Sequence, residues 1–305
     1  MAEYLVTGAA GFVGSKLANK LINDGHHVTS IDDLSTGSIS NVPEGVNFIQ
    51  ADCSDPHIYK SLENKSFEAV FHIAGQSSGE ISFEDPIKDL KSNTQSTLLL
   101  LSLCKKINCK RFIFASSMSV YGLNNAEHVS EQSKCTPQSF YAVGKLASEN
   151  YLNIYKKYGI NSTALRLFNI YGPGQNMLNL KQGMLSIYLA QFIDKEKVIV
   201  KGSGERFRDL IFIDDVIESI LRCTDNTDSY NEANNIGIGK KITVQNIIDS
   251  IRSDLKSSKT VEFVEGTPGD LHGITACTKK MDKILGKWDK VGLEQGLRSM
   301  IEHLS

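Results

Sequence analysis

Over the first two-thirds of the chain, short apolar segments alternate with longer helix-patterned ones. No other feature of the sequence constrains the fold as tightly. The apolar segments are Glu3–Thr7, His27–Ile31, Val46–Gln50, Ala69–Ile73 and Arg111–Ala115. They are rich in Val, Ile and Phe, as strands buried on both faces must be. Between them lie helical stretches at Gly11–Asn23, Pro56–Leu62, Pro86–Lys106 and Phe140–Lys157. Strands and helices at this spacing predict a parallel sheet covered on both faces. Right-handed crossovers then make it a doubly wound α/β sheet of the Rossmann type.

Past Leu167 the rhythm changes. Gly172-Pro-Gly-Gln175 is a turn, and a helix follows at Met184–Phe192. A strand–helix pair, Asp209–Cys223, looks sheet-like again. Short elements then alternate at Val244–Leu255, Val261–Val264, Lys279–Leu285 and Leu293–His303, and the polar stretch Asn226–Asn235 reads as a loop. The expected division is a first domain over 1–168, rejoined by about 208–236. A smaller C-terminal α/β domain takes 169–207 and 237–305.

Charge excludes several partners. In 305 residues, 33 Lys+Arg nearly balance 35 Asp+Glu. Nucleic acid and polybasic membrane contacts need clustered cations, so neither is expected. No apolar run approaches the ~20 residues that span a bilayer. The start shows no cationic segment with a cleavage site, so a cytoplasmic protein is expected. The cysteines, Cys53, Cys104, Cys109, Cys135, Cys223 and Cys277, form no C-x-x-C pair and read as reduced, mostly buried thiols. The histidines form no metal-binding pair, so no metal is expected.

Two constellations carry chemistry. In the first, Leu5-Val-Thr-Gly8-Ala-Ala-Gly11-Phe-Val-Gly14 closes the first strand and opens the first helix. Glycines there permit a tight turn and bring backbone amides up to a pyrophosphate at a helix N-terminus. The second strand runs into Asp32-Asp33, near the ~20-residue spacing of a ribose-binding acid. A carboxylate there accepts both adenosine ribose hydroxyls and repels a 2′-phosphate. No Arg follows closely, so NAD is expected over NADP. The competing reading is a solvated carboxylate at a strand end. Asp52, after the third strand, can reach an adenine amino group; a helix cap fits Ser54 or Asp55 better.

The second constellation is Ser116-Ser117-Met118-Ser119 after the fifth strand, followed by Tyr141-Ala-Val-Gly-Lys145. On a helix, Tyr141 and Lys145 share a face. The Lys145 ammonium is expected to lower the phenol's pKa. Ser117 can bridge Tyr141 and a substrate alcohol. Such a trio removes a carbinol proton while hydride leaves for a nicotinamide.

Together these motifs resemble the extended short-chain dehydrogenase/reductase family, specifically its nucleotide-sugar epimerase/dehydratase group. The matching stretches, in order, are Thr7–Gly14, Asp32–Gly37, His72–Gln76, Phe114–Ser117, Tyr141–Lys145, Leu165–Gln175 and Arg208–Val216. The resemblance covers nearly the whole chain. It implies NAD held in the first domain and a sugar nucleotide bound between the two. It implies Ser117, Tyr141 and Lys145 as the catalytic trio. Around NAD it places Gly8, Gly11, Phe12, Val13, Gly14, Asp32, Asp33, Ser35, Thr36, Gly37, Asp52 and Cys53. To these it adds Ile73, Ala74, Gly75, Gln76, Asn93, Ala115, Ser116, Tyr141 and Lys145. On the substrate it places Ser78, Ser117, Met118, Ser119, Tyr141, Asn169, Arg208 and Asp270. Arg208 would pair with the diphosphate, which its planar fork suits; the other reading is an ion pair with Asp209 or Asp214. A homodimer through a four-helix bundle is also implied, from the outer faces of Phe140–Lys157 and of the helix holding Leu98-Leu-Leu-Leu-Ser-Leu103.

The family's 4,6-dehydratases carry an Asp-Glu pair directly after the catalytic Ser or Thr, and its uronate decarboxylases keep a Glu there. Here those positions are Met118 and Ser119, neither of which transfers protons near pH 7. Simple 4-epimerisation of a UDP-hexose or UDP-N-acetylhexosamine needs no such pair and is the expected reaction. A CDP-sugar 2-epimerase or a 4-ketoreductase is the alternative. Two departures stand out. Thr267 precedes Pro268-Gly269-Asp270 where such epimerases usually carry Arg, and Cys277 follows Ala276 where Asp is common. The diphosphate then relies on Arg208, or also on Lys181 or Lys201. Ile274 is expected to set pocket size. His72, ending a buried strand, is expected to be a hydrogen-bonded core residue.

Overall fold

Strand β1 (Glu3–Thr7) is the middle of the architecture, with Leu5, Val6 and Thr7 wholly buried. It pairs in parallel with β2 (His27–Asp32) on one side and β4 (Ala69–His72) on the other. The computed structural model describes residues 1–124, 126–179, 183–266 and 272–304. Beyond β2 lies β3 (Asn47–Gln50), and beyond β4 lies β5 (Arg111–Ser117). Two further strands, β6 (Asn161–Leu167) and β7 (Glu232–Ile236), complete a seven-stranded sheet in the order β7-β6-β5-β4-β1-β2-β3. This is the doubly wound α/β sheet expected from the alternation.

The helices that cover it have the predicted periodicity. In α1 (Phe12–Asn23), Gly14, Leu17, Ala18 and Leu21 form the buried stripe. In α4 (Ser96–Ile107), Leu100, Leu101, Leu103 and Cys104 pack into one cluster with Leu5, Val70, Phe112 and Phe114. Burying each such side chain contributes about 1.5–3 kcal/mol. α5 (Phe140–Tyr155) is capped by the Ser139 hydroxyl, which accepts from the Ala142 amide.

The structure corrects the expected elements in three places. Pro56–Leu62 is a 3-10 helix, capped by Asp55. The predicted helix Pro86–Lys106 is interrupted. A short α3 (Pro86–Leu90) follows α2 (Gly79–Glu84), and a π-helical turn at Lys91–Gln95 leads into α4. Finally, Asn226–Asn235 is not a loop throughout, because its last four residues start β7. Its Glu-Ala-Asn-Asn has little strand propensity, and neighbours decide the matter. Within β6, buried Thr163 donates to the Ser229 carbonyl at 2.7 Å and accepts from Arg111. Such partners lie far away in sequence.

The chain forms two compact units. One holds Met1–Val120, Ser139–Arg166 and Ile217–Asn234; the other holds Tyr121–Gln138, Leu167–Val216 and Asn235–Ser305. In the second unit, α6 (Met184–Asp194) and α8 (Val244–Asp254) pack near the parallel pair Val198–Lys201 and Val261–Val264. Leu210–Phe212, leading into α7 (Ile213–Asp225), pairs in parallel with Asn169–Tyr171 and takes no place in the seven-stranded sheet.

Candidate active site

The strand order reverses between β1 and β4, and open α/β sheets bind ligands at the carboxyl ends of strands at such a point. Here β1 ends in Thr7 and Gly8. Gly8 has φ +82°, and a Cβ on it would lie 2.8 Å from the Ala74 amide nitrogen after β4. A Cβ on Gly14 would run into the Gly8 carbonyl, so the turn folds tightly onto α1. Gly11 gives the helix no side-chain cap. The first-turn amides of Phe12, Val13 and Gly14 therefore face the turn without a capping acceptor from Gly11.

The acids after β2 divide their work. Asp32 is buried and accepts from the Ala10 amide at 3.0 Å and the Leu34 amide at 2.9 Å. It thus ties the glycine turn to the end of β2, a role the sequence did not disclose. Asp33 is exposed and accepts from the Ser35 amide at 2.9 Å. Ser35 and Thr36 are exposed, and the loop returns so closely that a Cβ on Gly37 would meet the Ala10 carbonyl at 2.5 Å. Asp52 accepts from the Ser54 amide at 2.7 Å, while Cys53 is buried. A bare amide-lined turn, a helix terminus and carboxylates at the ends of β2 and β3 fit a dinucleotide. All six cysteines are free, and no metal cluster occurs among the described residues.

After β4, several predicted contacts prove to be committed internally. His72 is fully buried; its Nδ1 meets the Thr7 hydroxyl at 2.9 Å and its Nε2 the Ser96 hydroxyl at 3.2 Å. Burial pushes its pKa down to about 3, so it is a neutral core residue as expected. Thr7 Oγ1 also accepts from the amides of Ile73 and Ala74. The Gln76 side chain donates to the Ser78 carbonyl at 2.7 Å and to Asp89 at 2.9 Å, and accepts from the Ser78 amide. The Ser78 hydroxyl caps α2 by accepting from the Ile81 amide. As side chains, Gln76 and Ser78 shape the loop.

The trio assembles in one place. Ser117 ends β5, with Tyr141 and Lys145 one turn apart on α5. All three are buried; the Ser117 hydroxyl donates to Ser119 Oγ at 3.1 Å and lies near enough to Tyr141 to favour the phenolate. The Ser117 oxygen also accepts from the Ser119 amide at 3.1 Å within the turn Met118–Tyr121. Lys145 Nζ donates to the Ala115 carbonyl at 2.9 Å and lies 5.7 Å from the Tyr141 ring centroid. Burial lowers its pKa to about 8. Burial also raises Tyr141 to about 12, against the lowering by Ser117. The expectation that the phenol's pKa is lowered is thus corrected: desolvation raises it.

Around the trio lie Asn93 and Ser116, both placed at the cofactor by the resemblance, together with Asp89, Glu149 and Arg166, which the sequence reading missed. Asn93, fully buried in the π turn, donates to the Gln76 carbonyl at 2.9 Å and to Asp89 at 3.1 Å, while its Oδ1 has no hydrogen-bond partner. Asp89 is buried beside α5, and its spacing of four from Asn93 is the only sequence signal for it. Ser116, predicted at the cofactor, instead donates to Glu149 at 2.5 Å. Glu149 in turn accepts from Arg166 Nε at 3.0 Å and Nη2 at 2.7 Å.

In the second unit, Asn169 donates through both its amide and its side chain to the Asp209 carbonyl, each at 3.1 Å. Arg208 donates to the Phe207 carbonyl at 2.7 Å, and burial together with Arg206 lowers its pKa to about 10. The Asp209 carboxylate turns to the amides of Ile238, Gly239 and Ala276 at 2.8–2.9 Å. Asp270, Thr267 and Lys181 lie outside the described residues.

A model of the NAD dependent epimerase/dehydratase family matches residues 4–239. The putative UDP-glucose 4-epimerase of Methanocaldococcus jannaschii is 30% identical over 299 residues, spanning 97% of this chain and 96% of that protein. Among solved structures, the Thermotoga maritima UDP-glucose 4-epimerase with UDP-glucose matches with a TM-score of 0.95 at 32% identity, covering 99% of this chain and 98% of that one. A UDP-N-acetylglucosamine 4-epimerase from Methanobrevibacter ruminantium, in complex with UDP-N-acetylmuramic acid, matches with a TM-score of 0.93 at 31% identity and covers 99% and 98%.

Proposed function

The chain belongs to the NAD dependent epimerase/dehydratase family, and from that premise we propose that it inverts C4 of a UDP-hexose or UDP-N-acetylhexosamine through a transient 4-keto sugar. NAD, when bound, supplies the acceptor and donor for the sugar's hydride. The amides of Phe12, Val13 and Gly14 would hold its pyrophosphate, and Asp32 and Asp33 its adenosine ribose. Asn93 Oδ1, buried and unpartnered, and the Lys145 ammonium would face its nicotinamide end.

Tyr141, as phenolate, takes the C4 hydroxyl proton and later returns it. Ser117 holds the C4 oxygen against Tyr141. Lys145, as ammonium, stabilises the phenolate. Ser119 lines the sugar beside the loop that Ser78 shapes, Asn169 and Arg208 hold the nucleotide diphosphate, and Asp270 contacts another part of the sugar nucleotide. The first unit is then the cofactor-binding domain and the second the nucleotide-sugar-binding domain. The observation that carries epimerisation over dehydration is Met118-Ser119 directly after Ser117: that turn holds no acid or base for a second proton transfer.

We further propose a homodimer through α4 and α5 in a four-helix bundle. Phe140, Val143 and Ile154 on α5 are exposed, and Phe140 stacks edge-on with exposed Phe83 at 5.5 Å. No helix among the described residues is long and apolar enough to cross a membrane, and we propose a cytoplasmic location.

Incubation with UDP-, dTDP-, CDP- and GDP-sugars, followed by NMR of the products, tests the reaction. Interconversion of a 4-epimeric pair without net NADH is the expected result. A 4-keto-6-deoxy product would overturn it.

A further inference from the structure

We propose, resting on the epimerase reading above, that Asp89 is a positioning residue for the proton-transfer pair: its carboxylate is the buried counter-charge of Lys145 and sets the pH range in which Tyr141 and Lys145 hold their working forms. Asp89 is 1% exposed. Its Oδ1 accepts from Gln76 Nε2 at 2.9 Å and Asn93 Nδ2 at 3.1 Å, so two neutral amides hold the carboxylate. A buried carboxylate without a cation in direct contact is costly and needs a charge nearby. Helix α5 provides it. Gly144, between Tyr141 and Lys145, faces Asp89: a Cβ there would lie 3.7 Å from Asp89 Oδ2. The carboxylate therefore packs directly against the helix at the turn that carries the phenol and the ammonium.

The charges around this point are few. From α5 come Tyr141 and Lys145, and from β4 comes His72, which is neutral. Glu149 is paired with Arg166. Glu80, Glu84, Asp85, Lys88 and Lys91, on the elements beside Asp89, are exposed. Lys145 is therefore the buried cation that Asp89 addresses. The Asp89 charge favours the Lys145 ammonium and opposes the Tyr141 phenolate, raising both pKa values. Removing the charge moves both downward.

The test uses Asp89→Asn, which keeps an oxygen for Gln76 and Asn93 but removes the charge. Asp89→Ser serves should the amide not fold. The first readout is independent of substrate: NMR of the NAD-loaded protein with [6-13C]lysine, the Lys145 resonance assigned by its loss in Lys145→Met. The Lys145 titration midpoint is expected to fall by about one pH unit in Asp89→Asn and to return toward the wild-type value in Asp89→Glu. The second readout is the pH profile of kcat. Because both groups lose the Asp89 charge, both limbs are expected to move to lower pH. An unchanged Lys145 midpoint in the neutral variants, even with reduced kcat, would overturn the proposal and leave Asp89 as a structural group only. Failure of the wild type to epimerise any sugar nucleotide removes the epimerase reading, and the NMR midpoint still decides the role of Asp89.

Discussion

Two buried carboxylates lie at α5, Glu149 on the helix itself and Asp89 packed against it, and their surroundings differ. Glu149 meets Arg166 in a bidentate pair and takes a third bond from Ser116. Asp89, facing the same helix at Gly144, accepts from the side-chain amides of Gln76 and Asn93. Burial raises its pKa, with Gln76, Asn93 and Lys145 opposing the rise. A carboxylate fully matched in charge and hydrogen bonds anchors β5, β6 and α5 to one another. One matched only by dipoles leaves its field directed at the ionisable pair beside it. Burial alone does not separate a structural acid from a functional one; the identity of the donors does.

The largest effect should fall on the functional side. Tyr141→Phe is expected to cut kcat by about 10²–10⁴ while leaving bound NAD and the unfolding midpoint unchanged. Normal turnover in that variant would remove Tyr141 from the chemistry. On the structural side, Glu149→Ala removes the carboxylate that the buried Arg166 guanidinium is paired with. It should cost about 3–5 kcal/mol in denaturant unfolding without moving the limbs of the pH profile. A shifted limb would mean that Glu149 also acts on the trio, and the contrast with Asp89 would fail.

Smaller changes sharpen the same contrast. Ser116→Ala removes one of three bonds to Glu149 and should cost about 0.5–1.5 kcal/mol, with NAD content preserved because the Ser116 hydroxyl is turned to Glu149. Loss of NAD would restore the side chain to the cofactor site. The subtlest signature is a pH dependence of stability. Lys145 titrates at about 8 folded against 10.5 ordinarily. Between those values the unfolded chain holds more protons on it than the folded chain does, so stability rises with pH across that window. Lys145→Met should flatten the rise in equilibrium unfolding measured from pH 8 to 10.

Much of this was legible in the residues themselves. Periodicity located the first five strands because each is apolar enough to be buried on both faces. Gly8, Gly11 and Gly14 announced a tight turn at a helix start, and Ser117, Tyr141 and Lys145 a proton-handling trio. These signals are local: a spacing, a missing side chain, an i, i+4 pair. The sequence by itself therefore determined the first five strands of the sheet, the cofactor turn and the chemistry of the trio. The tertiary structure decided which polar side chains remain available to that chemistry. Gln76, Ser78 and Ser116 look like ligand contacts along the chain, yet each is bonded to the protein. The polar strand β7 and the buried Asp89 likewise depend on partners brought close only by folding. Hydrogen bonds and burial join residues that are distant along the chain, and no local pattern encodes which donor will meet which acceptor.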